Sequence, residues 1–256
     1  MSSNNIQQAK SKKIIINTLM LYIRMGLTML VAMYTSRIVI NALGIEDYGI
    51  YSVVGGIVGM FMFINTTMAA ATQRFITIEI GRNDTNRLSK IYSTSINVHI
   101  IISLIIFILA ETIGLWWVNY KLVINPTRIF AANIVYQFSI LSTILIILQV
   151  PYNALIIAYE KMGIYAYMGI AYTIFRLLIV YILLIVHIDK LILYACAMTS
   201  IDLIMFIVYK TYCKKSFVEC RYQSVTDKLL YKEIMSFAGW NLCGNIAGTC
   251  SRQGID

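Results

Sequence analysis

The chain has 256 residues, a formal net charge of +9, 59% hydrophobic residues and 13% charged ones. Soluble domains carry about 25% charge, so this composition excludes a water-soluble globular fold, and a mean hydropathy of +0.74 points to lipid as the solvent. The basic excess is scattered over short loops, which argues against a nucleic-acid surface.

A leader over 1–13 carries Lys10, Lys12 and Lys13. Six apolar stretches follow, at 14–43, 50–78, 91–118, 129–158, 164–186 and 191–209. Each approaches or exceeds the roughly 20 residues that a helix needs to cross a bilayer core. Their length and unbroken apolarity favour helices over the short alternating strands of a barrel. The expected fold is therefore an all-α polytopic membrane bundle over 14–209. A cytoplasmic linker over 210–233 and the start of a truncated seventh span over 234–256 complete the reading. The first span is too long for a signal-peptide core and has no A-x-A-like site after it, so it reads as an uncleaved anchor.

Basic residues alternate in density between the spans. One side holds Lys10, Lys12, Lys13, Arg82, Arg87, Lys90, Lys161, Lys210, Lys214, Lys215, Arg221, Lys228 and Lys232. The other holds Lys121, Arg128 and Lys190. Thirteen against three puts the amino terminus and the even-numbered loops in the cytoplasm. Trp116 and Trp117 then lie at the outer end of the third span, where an aromatic belt is expected. The five cysteines show no C-x-x-C spacing, and His99 and His187 lie far apart. No metal signature, phosphate loop or nucleophile elbow occurs, so the sequence offers neither cofactor nor enzyme chemistry.

The informative residues are those that do not belong in lipid. An ionisable side chain at mid-bilayer costs about 2.5–3.5 kcal/mol or more, so it faces a bundle interior or a watery cavity. Arg37, Arg74 and Glu111 sit near span ends, where long side chains can reach the headgroups. Arg24, Arg176 and Asp202 are deeper. At about 100° per residue, Tyr165, Tyr172 and Arg176 share one stripe of the fifth span. Arg24, Thr28 and Thr35 share one of the first span, and Thr67 and Arg74 one of the second. Such stripes fit a hydrated cavity. They equally fit a buried Arg176–Asp202 pair that only fixes helix packing. Pro151, in the run Gln149-Val150-Pro151-Tyr152-Asn153, bends the fourth span and is a hinge candidate. Gly55, Gly59, Gly244 and Gly248 give small-x-x-x-small spacing for close helix packing.

Three stretches carry a family resemblance. TSRIVINALGIEDYGIYSVVGGIVGMFMFINTTMAAATQRF (35–75) resembles the opening of bacterial polysaccharide flippases. These are the O-antigen and lipopolysaccharide-biosynthesis transporters of the multidrug/oligosaccharidyl-lipid/polysaccharide exporter superfamily. VPYNALIIAYEKMGIYAY (150–167) resembles the family's fourth and fifth helices, and FAGWNLCGNIAG (237–248) the start of its second half. The resemblance implies the amino-terminal lobe of a transporter of twelve to fourteen helices, in which two bundles surround a central cavity. Family members carry a complete second bundle, whereas this sequence ends in its first helix. A missing carboxy-terminal bundle or self-association is the corresponding partner expectation.

The implied function is alternating-access transfer of an undecaprenyl-pyrophosphate-linked oligosaccharide across the bacterial inner membrane, for lipopolysaccharide or capsule synthesis. Depth and charge assign Arg24 and Arg176 to the anionic head group and Arg74 to a cytoplasmic entry contact. Tyr165 and Tyr172 would meet sugar rings, and Asp202 would orient an arginine or couple an ion. The alternatives are a multidrug or cation exporter of the same superfamily, which would want carboxylates in its cavity, and an inactive truncated fragment.

Overall fold

A computed structural model describes residues 3–186, 188–220, 222–223 and 227–253. The described residues form helices joined by short turns, with no strand among them. Among the described residues five helical segments are long and apolar enough to cross a membrane: Ile15–Leu43, Thr85–Tyr120, Pro126–Ala158, Met162–Ile185 and Lys190–Ser216. Their outward faces are large and apolar, as at Leu19, Met29, Leu104, Ile182 and Leu203. A soluble monomer does not leave apolar area on this scale uncovered.

Helix α1 (Ser3–Leu43) ends at Gly44, whose φ of 83° turns the chain directly into α2 (Ile45–Gly59). Only glycine adopts that backbone conformation without strain. The stretch 50–78, continuous by composition, is two helices. α2 stops at Gly59, and α3 (Met62–Arg82) starts after Met60 and Phe61. Three glycines in five residues (55, 56 and 59) weaken the end of α2. Asn65, Thr66 and Thr67 lower the apolarity of the start of α3.

At its end, Asn83 takes a left-handed conformation with φ 57°, which Asn tolerates. Asp84 then caps α4 (Thr85–Leu109) by accepting from the Arg87 amide at 2.9 Å. A π turn at Ala110–Gly114 leads into α5 (Leu115–Tyr120). There the Tyr136 hydroxyl donates to the Ala110 carbonyl at 2.7 Å. A Cβ on Gly114 would lie 2.0 Å from that hydroxyl, so the glycine makes room for the ring.

Helix α6 (Ile129–Ala158) is the axis of the bundle. It packs against α8 (Lys190–Ser216), α3, α2, α4 and α7 (Met162–Ile185), and it buries residues along its whole length from Ala131 to Ile156. α1 packs chiefly on α7, and α9 (Lys228–Gln253) on α3 and α4. α1 and α7 run in the same direction, joined by Thr28 to Thr173 (3.3 Å) and Tyr34 to Tyr181 (3.1 Å).

Each end of the bundle has its own polar clamp. At one end Arg128 donates through Nε and Nη2 to both carboxylate oxygens of Asp47, and through Nη1 to Asp189 at 2.6 Å. Asp189 also caps α8 through the amides of Leu191 and Ile192. This guanidinium thus ties the start of α2, the start of α6 and the α7–α8 turn. At the other end buried Glu79 meets Arg82 at 3.0 Å and Arg87 at 3.4 Å. There too the Tyr159 hydroxyl donates to Glu219 at 2.9 Å, and Lys161 sits 4.4 Å from the Phe217 ring centre.

Candidate functional site

Where α1, α6, α7 and α8 converge, a cavity of about 290 Å³ opens inside the bundle. Its wall carries Arg24 and Thr28 from α1, Gln149 and Asn153 from α6, Tyr165, Tyr172 and Thr173 from α7, and Asp202 and Tyr209 from α8. Apolar composition surrounds each helix, so these polar side chains are gathered by the packing rather than by chain proximity.

Arg24 is held by α7. Its guanidinium carbon lies 4.1 Å from the centre of the Tyr165 ring, a cation–π contact. One turn further along α7 is Gly169, where a Cβ would come within 2.2 Å of Arg24 Nε. The missing side chain is therefore a notch that lets the guanidinium stem lie against the α7 backbone. Among the described residues Arg24 has no carboxylate in ion-pair contact, so its charge is available to a ligand.

Asp202 is buried, with 6% of its surface exposed. Ser142 Oγ of α6 donates to its Oδ2. Tyr172 of α7 hydrogen-bonds the same carboxylate, and Arg176 of α7 acts on it electrostatically. The direct partners of Asp202 are thus hydroxyls, those of Ser142 and Tyr172, and Arg176 acts at longer range without a contact ion pair among the described residues. Among the described residues, Arg176 Nε and Asn153 Oδ1 are buried without a hydrogen-bond partner. A donor and an acceptor without partners in or beside a cavity need water or a ligand, because an unmet buried group costs about 1–3 kcal/mol.

Pro151 lies on the buried face of α6 between Gln149 and Asn153, both of which line the cavity. Its ring nitrogen cannot donate to the Ile147 carbonyl, so the helix is weakest beside the polar wall.

Of the residues singled out in the sequence, Arg24, Tyr165, Tyr172 and Asp202 share this cavity, and Arg176 stands behind its Asp202 wall. Arg74 does not line it. It is exposed on α3, with its guanidinium carbon 4.3 Å from the centre of the Phe237 ring on α9. Ser142, Gly169 and Thr173 escaped the sequence reading. Gly169 follows Tyr165 by four residues on the same stripe, and that spacing was its visible signal. Among the described residues no group of three or more His, Cys, Asp or Glu is disposed to hold a metal ion. Compared with known proteins, the chain matches no family model, no curated protein and no solved structure.

Proposed function

We propose that the protein is a membrane transporter that receives an anionic, sugar-bearing lipid head group, and that it acts as a flippase for lipid-linked oligosaccharide. The observation that carries this reading is the unpaired Arg24 in the wall of an intramembrane cavity, stacked on Tyr165. A guanidinium suits this task because it binds phosphate oxygens in bidentate fashion and is desolvated at lower cost than an ammonium. Tyr165, Tyr172, Gln149 and Asn153 add ring faces and amide groups of the kind that bind sugar hydroxyls. Arg176 supports the pyrophosphate from the α7 side, and Arg74 serves the entry route. The lipid tail stays in the bilayer while the bundle alternates access.

The test is transfer of a fluorescent undecaprenyl-pyrophosphate oligosaccharide across proteoliposomes containing the chain. Arg24→Gln and Arg176→Gln should each reduce the rate at least about tenfold, since loss of one charged hydrogen bond is worth roughly 1.5–3 kcal/mol. Unchanged transfer in both variants overturns the assignment.

The buried carboxylate of Asp202 on the cavity wall favours one second reading, export of an organic cation. In that case Asp202→Asn abolishes efflux of an ethidium-type cation, and Arg24→Gln leaves it intact.

A further inference from the structure

A second cavity, of about 580 Å³, lies at the basic end of the bundle and shares no lining residue with the first. Its wall is Tyr92 and Ile96 of α4, Tyr152 of α6, Lys210 and Lys214 of α8, and Cys220 and Tyr222 beyond α8. We propose that it is a phosphate site at the level of the lipid head groups.

Depth comes first. Lys210 follows Lys190 by 20 residues on one continuous helix, a rise of about 30 Å, which is the thickness of a bilayer core. The end of α8 that carries Lys210 and Lys214 therefore reaches one head-group layer if the Lys190 end sits at the other.

Charge comes second. Lys210 and Lys214 are one helical turn apart and both face the cavity. Neither forms an ion pair among the described residues. Glu219, the nearest acidic residue along the adjoining segment, accepts instead from Tyr159. Two ammonium groups converging on one space with no carboxylate between them favour an anion with several oxygens.

The roof comes third. After α8 the chain folds back onto α4. Tyr222 donates its hydroxyl to Asn97 Oδ1 at 2.9 Å, and the Gln223 amide donates to Ser93 Oγ at 3.0 Å. These bonds hold Tyr222 and Gln223 against α4, with Tyr222 in the cavity wall. The Tyr92 and Tyr152 rings meet edge to face at 6.1 Å between centres, giving an apolar floor beside the charged rim. A phosphodiester with the first carbons of a glycerol ester matches this division, and so does inorganic phosphate at the rim alone.

The experiment uses the purified chain in mixed micelles, with native mass spectrometry and thermal unfolding as readouts. The probes are phosphatidylglycerol, phosphatidylcholine and inorganic phosphate. Wild-type protein should retain phosphatidylglycerol or be protected by phosphate, in either case above phosphatidylcholine. Retention of the lipid alone identifies a lipid head group, and protection by phosphate identifies a free anion. Lys210→Gln/Lys214→Gln should lower the response about tenfold or more, and Lys210→Arg/Lys214→Arg should preserve it. Lys215→Gln, one residue away and outside the cavity, should leave it unchanged. Three results overturn the site: no preference over phosphatidylcholine in the wild type, an unchanged response in the double glutamine variant, or an equal loss in Lys215→Gln.

Discussion

Arg24 owes its position to a residue with no side chain. Tyr165 offers a ring to the guanidinium, but the stem can reach that ring only because Gly169 leaves the α7 backbone bare. Gly169→Leu should therefore act like a defect in Arg24 while leaving the charge present. The expected outcome is a loss of affinity for undecaprenyl pyrophosphate of roughly tenfold, with helix content by circular dichroism retained. Equal affinity in wild type and Gly169→Leu, measured by ligand-induced thermal shift, would mean that Arg24 is not the contact. Arg24, Tyr165, Tyr172 and Asp202 were legible in the sequence because depth and 3.6-residue spacing are properties of one helix. Gly169 and Ser142 were not, because a notch and a buried hydrogen bond belong to two helices at once. Arg74 shows the same limit. Its polarity was visible, but its partner Phe237 lies 163 positions away on α9.

Among the elements, the turns carry more information than the spans. Gly44 at φ 83° has open space around a Cβ, so its requirement is conformational and not steric crowding. Gly44→Ala should cost about 1–2 kcal/mol through the left-handed backbone alone. A denaturation midpoint identical to wild type would contradict that account. The Arg128 clamp is the stronger element-level device. Asp47 is 7% exposed and both of its carboxylate oxygens are met by Arg128. Truncating the arginine leaves that charge without its partner, a loss that solvent near Arg128 reduces below the full buried-pair cost. Arg128→Ala should destabilise by about 2 kcal/mol, and Asp47→Asn/Arg128→Ala should recover part of that loss. The break between α2 and α3 was hidden for a related reason. Composition over 50–78 reads as one apolar run, and the interruption follows from glycine spacing and polar residues whose combined effect shows only once both helices pack on α6.

For the whole molecule, the two ends differ in chemistry in a way that the bundle itself makes visible. One end holds Asp47, Arg128 and Asp189 in a clamp of one guanidinium between two carboxylates, with Trp116 and Trp117 half-exposed nearby in sequence on α5 and Lys121 5.5 Å from the Trp116 ring centre. The other end gathers Arg82, Arg87, Lys161, Lys210, Lys214 and Lys215, of which the first two are paired, among the described residues, with a carboxylate, that of Glu79. Among the described residues, lysines without a carboxylate partner are more numerous at this end (Lys161, Lys210, Lys214 and Lys215) than at the Arg128 end (Lys121 and Lys190), the asymmetry that an anionic inner leaflet and the positive-inside bias select together. The orientation expected from that bias would put Lys161 on the cytoplasmic side and Lys121 outside. In a background with the native cysteines replaced by serine, Lys121→Cys should react with a membrane-impermeant maleimide in intact cells, and Lys161→Cys only after the membrane is opened. Inverting the sign at the basic end, by changing Arg82, Arg87 and Lys161 to Glu, should weaken that difference, because the bias resides in those short loops. Labelling of Lys161→Cys in intact cells, with Lys121→Cys protected, would reverse the assignment. It would also move the second cavity, whose lysines share the Lys161 end, to the opposite leaflet.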